Sequence, residues 1–466
     1  MDAPGTIPNE PGRFVRPNLF MRAVARPESY LAGTFLALIA AGAVLLALPA
    51  SHAAEPVGML DAVFTSTSAV CVTGLTVVDT AGDYSRFGQV VILVLIQAGG
   101  LGIMTFGALI VQITGHRISL RSQAALTDVF YQQNAAATFR RNLKWIVVMT
   151  LTIEAVGALL LYAGLPAGSR GPHGVYHCAF HAVSAFCNAG FSTFEGNLTA
   201  VRDRPVFLAA ICILVVLGGL GFGVLLEAVS RSWRALFGRQ RTIAWSLNSR
   251  VVAAASLLLI VLGTVFLALT GLAPGGGGAA STVGHALVQS ISARTAGFNT
   301  VDLGHAPTAA LLGLVLLMFV GGSPGSCAGG VKTTSLAIWV ARLRARLRLQ
   351  EDVIIGGRRV PVDVVRRTGL LIGVCTLFNL LGVFVLTLTE AGRPGVRLED
   401  VLFEQISAFG TVGLSTGLTP TLSAAGKVWI ILTMFVGRLG PLTIALIVST
   451  PDPKLVRLPE ERLMIG

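Results

Sequence analysis

The amino-acid sequence predicts an all-α polytopic membrane protein of four tandem repeats, each a spanning helix, a short half-helix, a glycine-centred loop and a second spanning helix. Three observations predict it. With 53% hydrophobic and 12% charged residues and a mean hydropathy of +0.74, the chain is far more apolar than a soluble domain. A short glycine motif occurs four times at near-regular spacing. A second glycine signature follows each copy at a nearly fixed distance.

The first motif reads Ser68-Ala-Val-Cys-Val-Thr-Gly74-Leu-Thr76, then Ser184-Ala-Phe-Cys-Asn-Ala-Gly190-Phe-Ser192, Ser292-Ala-Arg-Thr-Ala-Gly297-Phe-Asn299 and Ser407-Ala-Phe-Gly-Thr-Val-Gly413-Leu-Ser415. Gly74, Gly190, Gly297 and Gly413 are 116, 107 and 116 residues apart. The second signature reads Gly99-Gly-Leu-Gly102, Gly218-Gly-Leu-Gly221, Gly321-Gly-Ser-Pro-Gly325 and Gly437-Arg438-Leu-Gly440, ending 28, 31, 28 and 27 residues after the motif glycine. Two marks therefore keep one register.

In chain order, a tail of residues 1–28 holding Arg13, Arg16, Arg22 and Arg26 precedes a first apolar run, 29–50. Ala50-Ser-His-Ala53 resembles a signal-peptidase site, but the polar lead is long and the run is long enough to span, so it is read as a retained helix. Further runs of spanning length cover 87–114, 143–164, 205–230, 249–272, 308–340, 368–389 and 424–449, making eight. Between the members of each pair lies a segment of mixed polarity too short to cross: 56–70, 174–186, 281–293 and 397–409. The repeats then occupy residues 29–115, 143–231, 249–345 and 366–449, with 450–466 a second tail.

Of the 35 Lys and Arg residues, 25 fall in the two termini and the linkers 115–144, 231–250 and 342–367; the positive-inside bias makes that side cytoplasmic and has the half-helices enter from outside. The net charge of +12 sits in clusters between apolar runs, which orients a membrane protein better than it binds nucleic acid. Six cysteines in apolar surroundings, none with CxxC spacing, read as packed thiols rather than a disulfide framework or zinc site.

Non-helical backbone survives in hydrocarbon only where protein or a water-filled cavity satisfies it. Four loops meet that condition by converging on one axis with their carbonyl oxygens inward, a ring able to replace the hydration shell of a cation. Glycine permits the turn and clears side chains from the axis. The half-helices would aim their negative C-terminal ends at the ion. No motif position carries Asp or Glu, which favours a weakly hydrated monovalent ion over Ca2+ or Mg2+. The chain shows no nucleophile and base pair, P-loop or metal cluster, so it is not read as an enzyme.

Val72-Thr-Gly-Leu, Asn188-Ala-Gly-Phe, Thr295-Ala-Gly-Phe and Thr411-Val-Gly-Leu resemble the selectivity filters of the Trk/Ktr/HKT superfamily of K+ transporters, over residues 29–449. Trk-type chains usually begin with two more helices; the short tail here is more similar to the membrane subunit of the Ktr branch. The resemblance implies a pseudo-fourfold pore and K+ bound at Val72, Thr73, Gly74, Asn188, Ala189, Gly190, Thr295, Ala296, Gly297, Thr411, Val412 and Gly413. It also implies a homodimer and a cytoplasmic ring of KtrA-type nucleotide-binding subunits, with no covalent cofactor and with activation by Na+ left open. Na+-preferring relatives often have Ser at the first filter glycine, so Gly74 points to K+. A Na+-permeable HKT-like transporter is the alternative; a solute carrier or membrane enzyme would need polar side chains in the cavity where this chain has glycines and hydroxyls.

Some residues break the fourfold pattern. The third final helix is interrupted by Gly321, Gly322, Ser323, Pro324, Gly325, Ser326, Cys327, Ala328, Gly329 and Gly330, small residues able to lie across the path and move aside; the resemblance makes this segment an intramembrane gating loop. Lys332 just after it and Arg438 in the fourth signature are cations at membrane depth. Arg438 is expected to repel K+ and to bond either the loop's carbonyls or a carboxylate, and the resemblance makes it a barrier to conduction, while Lys332 either joins the gate or snorkels. His177 and His181 have i,i+4 metal-ligand spacing without a third ligand, which favours hydrogen bonding. Glu154 is expected to pair with an intramembrane cation, and Arg294 to steer or brace the third loop.

Overall fold

The computed structural model describes residues 27–53, 55–114, 135–236, 245–272 and 278–440. Both tails beyond these limits, most of the first linker and the end of the eighth apolar run lie outside the described residues.

Among the described residues the chain forms fourteen α-helices: α1 (Pro27–Leu46), α2 (Met59–Val70), α3 (Arg86–Thr114), α4 (Ala135–Gly164), α5 (Pro172–Cys187), α6 (Pro205–Leu220), α7 (Phe222–Leu236), α8 (Leu247–Leu269), α9 (Ala279–Ser292), α10 (Thr308–Phe319), α11 (Thr333–Leu347), α12 (Val362–Thr389), α13 (Leu398–Gly410) and α14 (Ala424–Leu439). A two-stranded ribbon, β1 (Ile354–Ile355) with β2 (Arg358–Arg359), sits in the linker before α12. Local signals set the boundaries. Proline opens α5 and α6, and serine hydroxyls cap α8 and α14 by accepting from Ser249 N and Gly426 N.

Lys144–Gly164, Leu247–Leu269 and Val362–Thr389 are each long and apolar enough to cross a bilayer, and Leu31–Leu46, Arg86–Gly102 and Thr308–Phe319 are shorter apolar helices. Their exposed faces carry Leu and Val, as on α8, where Leu257, Leu258, Val261, Leu262, Val265 and Leu269 are all exposed. Such a face suits hydrocarbon rather than water, and the chain is a membrane protein. The run expected to span from 205 to 230 differs: it breaks after Leu220 and bends by 105° into α7. Gly221 there has φ +85°, a left-handed conformation that glycine alone adopts cheaply.

The half-helices α2, α5, α9 and α13 occupy the segments the sequence marked, and their C-terminal turns are buried on every side, unlike the one-sided spanning helices. Their packing runs in a circle. Beyond its own repeat, α5 rests on α3, α9 on α6, α13 on α10, and α2 on α14 from the opposite end of the chain. The last contact carries an ion pair, Lys427 Nζ to Asp61 Oδ1 at 2.6 Å, with both side chains mostly buried.

Candidate ion-binding site

Just past each half-helix stands a non-glycine residue in a left-handed conformation, which asparagine tolerates and the β-branched residues do not. Val72, Asn188, Thr295 and Thr411 have φ of 55°, 60°, 77° and 49°, in the left-handed region, and three of them are β-branched. Such a residue costs about 1–2 kcal/mol in that conformation, so the surrounding packing must hold it. The motif serine supplies part of that hold. Ser68 Oγ accepts from Gly74 N at 3.0 Å and Ser407 Oγ from Gly413 N at 3.2 Å. Ser184, Ser292 and Ser407 donate to the carbonyls of Phe191, Phe298 and Leu414, each the residue after the motif glycine, at 2.7, 2.5 and 2.6 Å. Recurrence showed that serine mattered; the geometry supplies the reason.

The four motif glycines meet. A Cβ added at Gly74 would lie against the Ala189 carbonyl oxygen, at Gly190 against that of Ala296, at Gly297 against that of Val412 and at Gly413 against that of Thr73, in every case closer than the 3.0 Å that a real Cβ tolerates. The series closes on itself in chain order, so each copy's carbonyl faces its neighbour's glycine. Asn197 Nδ2 ties two adjacent copies, donating to the Gly190 and Gly297 carbonyls at 3.2 and 3.3 Å. Thr73 and Thr411 hydroxyls are buried without a hydrogen-bond partner among the described residues.

The second signature seats this assembly. A Cβ at Gly99, Gly218 or Gly437 would collide with the carbonyl of Val70, Phe186 or Phe409, on the last turns of α2, α5 and α13. These glycines let the final helices touch the half-helix backbones, a small-residue contact like those between other membrane helices.

Residues 321–330 form a closed loop between α10 and α11. Gly321 N donates to Val331 O at 2.9 Å and Val331 N to Phe319 O at 3.3 Å, pinching the two ends together. The loop docks on the broken α6: Ser323 N and Cys327 N donate to Gly219 O and Gly218 O at 3.1 and 3.4 Å, and Phe222 N to Gly325 O at 3.2 Å. It also reaches the ring, since a Cβ at Gly329 would strike the Thr411 side chain. Arg438 is 5% exposed and spans two repeats, donating to the Cys327 carbonyl of the loop and to Gly99 O at 2.9 Å.

Residues 19–458 match the family model described as TrkH, cation transport protein. The chain belongs to that family. It is 36% identical over 452 residues to Ktr system potassium uptake protein B of Bacillus subtilis, covering 94% of this chain and 97% of that one. Over 447 residues it is 33% identical to the potassium/sodium uptake protein NtpJ of Enterococcus hirae, covering 94% and 97%. The crystal structure of the potassium transporter TrkH from Vibrio parahaemolyticus superposes with a TM-score of 0.71 at 17% identity, over 95% of this chain and 87% of that one, a likeness of fold.

Within this TrkH-family chain the remaining sequence candidates find partners. Lys332 does not snorkel; its ammonium turns back on the loop and donates to Ala328 O at 2.5 Å and Gly329 O at 3.5 Å. His177 and His181 each reach the strand beyond Gly190, with Nδ1 of His177 2.6 Å from Thr193 Oγ1 and Nε2 of His181 2.9 Å from Ser192 Oγ. No cluster able to hold a metal ion occurs among the described residues. Glu154, expected to face a cation, instead accepts from Gln97 Nε2 at 3.2 Å, with the Cys187 thiol beside both. Arg294 is 9% exposed and points away from a brace on its own loop, donating to Ser256 O and Oγ at 3.4 and 3.1 Å.

Sequence reasoning passed over Glu404, which is fully buried and holds the strand after Gly413. Its signal was a lone carboxylate within an apolar half-helix turn. At the loop after Gly297, hydrogen bonds from His305 and then from the Gly304 amide hold the Asp302 carboxyl below the usual carboxylate range.

Proposed function

We propose that the chain takes up K+ across the cytoplasmic membrane, with the ring of Gly74, Gly190, Gly297 and Gly413 and the residues preceding each as the selectivity filter. The observation that carries the reading is the closure of the four motif glycines through one another's neighbouring carbonyl oxygens. Such a ring offers a bare cation oxygens in place of water and no fixed charge of its own, which suits a weakly hydrated monovalent ion. The buried hydroxyls of Thr73 and Thr411, one and two residues before their motif glycines, are further oxygens beside the ring. Residues 321–330 and Arg438 are the gate in this reading, because they lie together between α6 and the ring.

The same reading puts the termini and basic linkers in the cytoplasm of a multi-pass inner-membrane protein, with four repeats around a pseudo-fourfold axis. It assigns the chain the KtrB-type role, as a homodimer resting on a ring of nucleotide-binding regulatory subunits. High identity to proteins named for the Ktr system supports that assignment. A Na+-permeable transporter is the second reading, favoured by the identity to a protein named for both ions.

Expression in a bacterium lacking K+ uptake, with and without a regulatory ring subunit, tests the proposal. Growth at low K+ is expected, with uptake raised by the subunit. Gly74→Ser in the same cells is expected to cut K+ over Na+ discrimination by about tenfold or more, because a side chain there displaces the Ala189 carbonyl at a left-handed position. Unchanged discrimination in a variant that still reaches the membrane would remove the filter assignment.

A further inference from the structure

In two of the four copies the small polar residue two places after the motif glycine is held by an ionisable side chain of the half-helix behind it; in the third, His285 of α9 reaches one residue further on, its Nδ1 3.0 Å from Thr300 Oγ1. In the fourth copy Ser415 Oγ donates to Glu404 Oε1, which also accepts from Thr416 N at 3.2 Å, while Glu404 Oε2 accepts from Thr419 Oγ1 at 2.7 Å. In the second copy His181 does the same work. Its Nδ1 lies 2.7 Å from the His177 carbonyl, which can only accept, so Nδ1 carries the proton and Nε2 accepts from Ser192 Oγ at 2.9 Å. Each serine in turn accepts from the backbone two residues on, Gly417 N at 2.9 Å and Phe194 N at 3.0 Å.

The two sites are equivalent. Glu404 and His181 each stand three residues before their motif serine, Ser407 and Ser184, and both are fully buried. The same register in the first and third copies holds Thr65 and Gln289, which do not ionise, and neither amide atom of Gln289 has a hydrogen-bond partner among the described residues. Because the ring closes in chain order, the second and fourth copies face each other across it.

We infer that Glu404 and His181 are positioning residues that fix two opposite filter strands against narrowing round a smaller cation, and so set discrimination between K+ and Na+. The inference rests on the filter reading above. A carboxyl group held by three hydrogen bonds and a histidine locked in one tautomer are stiffer than a hydrated loop, and a strand that cannot move inward leaves Na+ under-coordinated.

The test is K+ and Na+ uptake by the full-length protein with its regulatory ring, comparing Glu404→Met, Glu404→Gln, Ser415→Ala and the Glu404→Met/Ser415→Ala pair. Met keeps the volume and removes all three hydrogen bonds, so the apparent KM for K+ should rise and discrimination fall about tenfold or more, with the maximal rate little changed. Gln keeps an oxygen toward Ser415 and Thr416 and can donate to Thr419, so it should behave like the parent. Ser415→Ala should fall in the same direction as Met, and the double variant should lose no more than Met alone. Parental discrimination in both Met and Ser415→Ala, or a loss in Gln as large as in Met, would overturn the brace. If the Met variant fails to reach the membrane, Ser415→Ala and Ser192→Ala carry the comparison. Gly413→Ser run alongside separates the two readings: if it alone alters discrimination, only the brace falls, and if it too is silent, the filter falls.

Discussion

Arg438 shows how one residue can differ from its counterparts and gain a task. Where the first and second signatures carry Gly100 and Gly219, this arginine stretches from the loop of residues 321–330 to the backbone of α3. Its two carbonyl contacts satisfy part of a guanidinium that hydrocarbon would otherwise penalise, leaving Nε buried without a partner among the described residues, and its positive charge stands beside the proposed path of a cation. Arg438→Ala is expected to raise K+ flux several-fold, roughly the effect of losing 1 kcal/mol from a barrier, while Arg438→Lys, which keeps the charge but not the two-pronged reach, should fall between. Flux into proteoliposomes decides; equal or lower flux in well-folded Arg438→Ala would end the barrier role. The sequence exposed this residue because it broke a repeat. It could not expose the left-handed Val72, Thr295 and Thr411, since local preference speaks against that conformation and only the surrounding packing imposes it. Nor could it give His177 and His181 their partners, which lie 16 and 11 residues further on, past the turn of the loop.

At the scale of elements, the half-helices were legible to within a few residues because short segments of mixed polarity between apolar runs are hard to mistake. The break in α10–α11 was legible too, in its run of small residues. The break between α6 and α7 was not: hydrophobicity continues through it, and the Gly-Gly-Leu-Gly string reads equally as a close-packing face. The structure shows both uses at once, since Gly218 seats α5 while the carbonyls of Gly218 and Gly219 receive the loop of residues 321–330. Gly221 is the hinge of that arrangement. A Cβ there would meet Pro324 O at 2.7 Å, at a backbone angle that alanine adopts only with strain. Gly221→Ala is therefore expected to cost about 1–2 kcal/mol and to displace the loop, giving higher K+ flux and a lower melting temperature in detergent. A variant with parental flux would mean that the loop does not depend on this bend.

For the whole molecule, composition gave the class and the recurring motif marked four buried helix ends, yet the order in which those segments touch was hidden, because it joins parts far apart in the chain. The circle closes where α14 meets α2. Lys427→Met should destabilise the protein by about 1–2 kcal/mol, since it leaves Asp61 partly buried without its partner, and Asp61→Asn added to it should recover part of the loss. Thermal unfolding in detergent reads both. An equal loss in the double variant would place the cost in packing rather than in charge. The same closure has a consequence for biosynthesis. Asp61 leaves the ribosome 366 residues ahead of Lys427, which at ordinary elongation rates is about 20–70 s. Through that interval the first half-helix lacks its α14 neighbour and Asp61 its ion-pair partner, so the oldest part of the nascent chain is the last to be completed, and any shortening before Lys427 strands it.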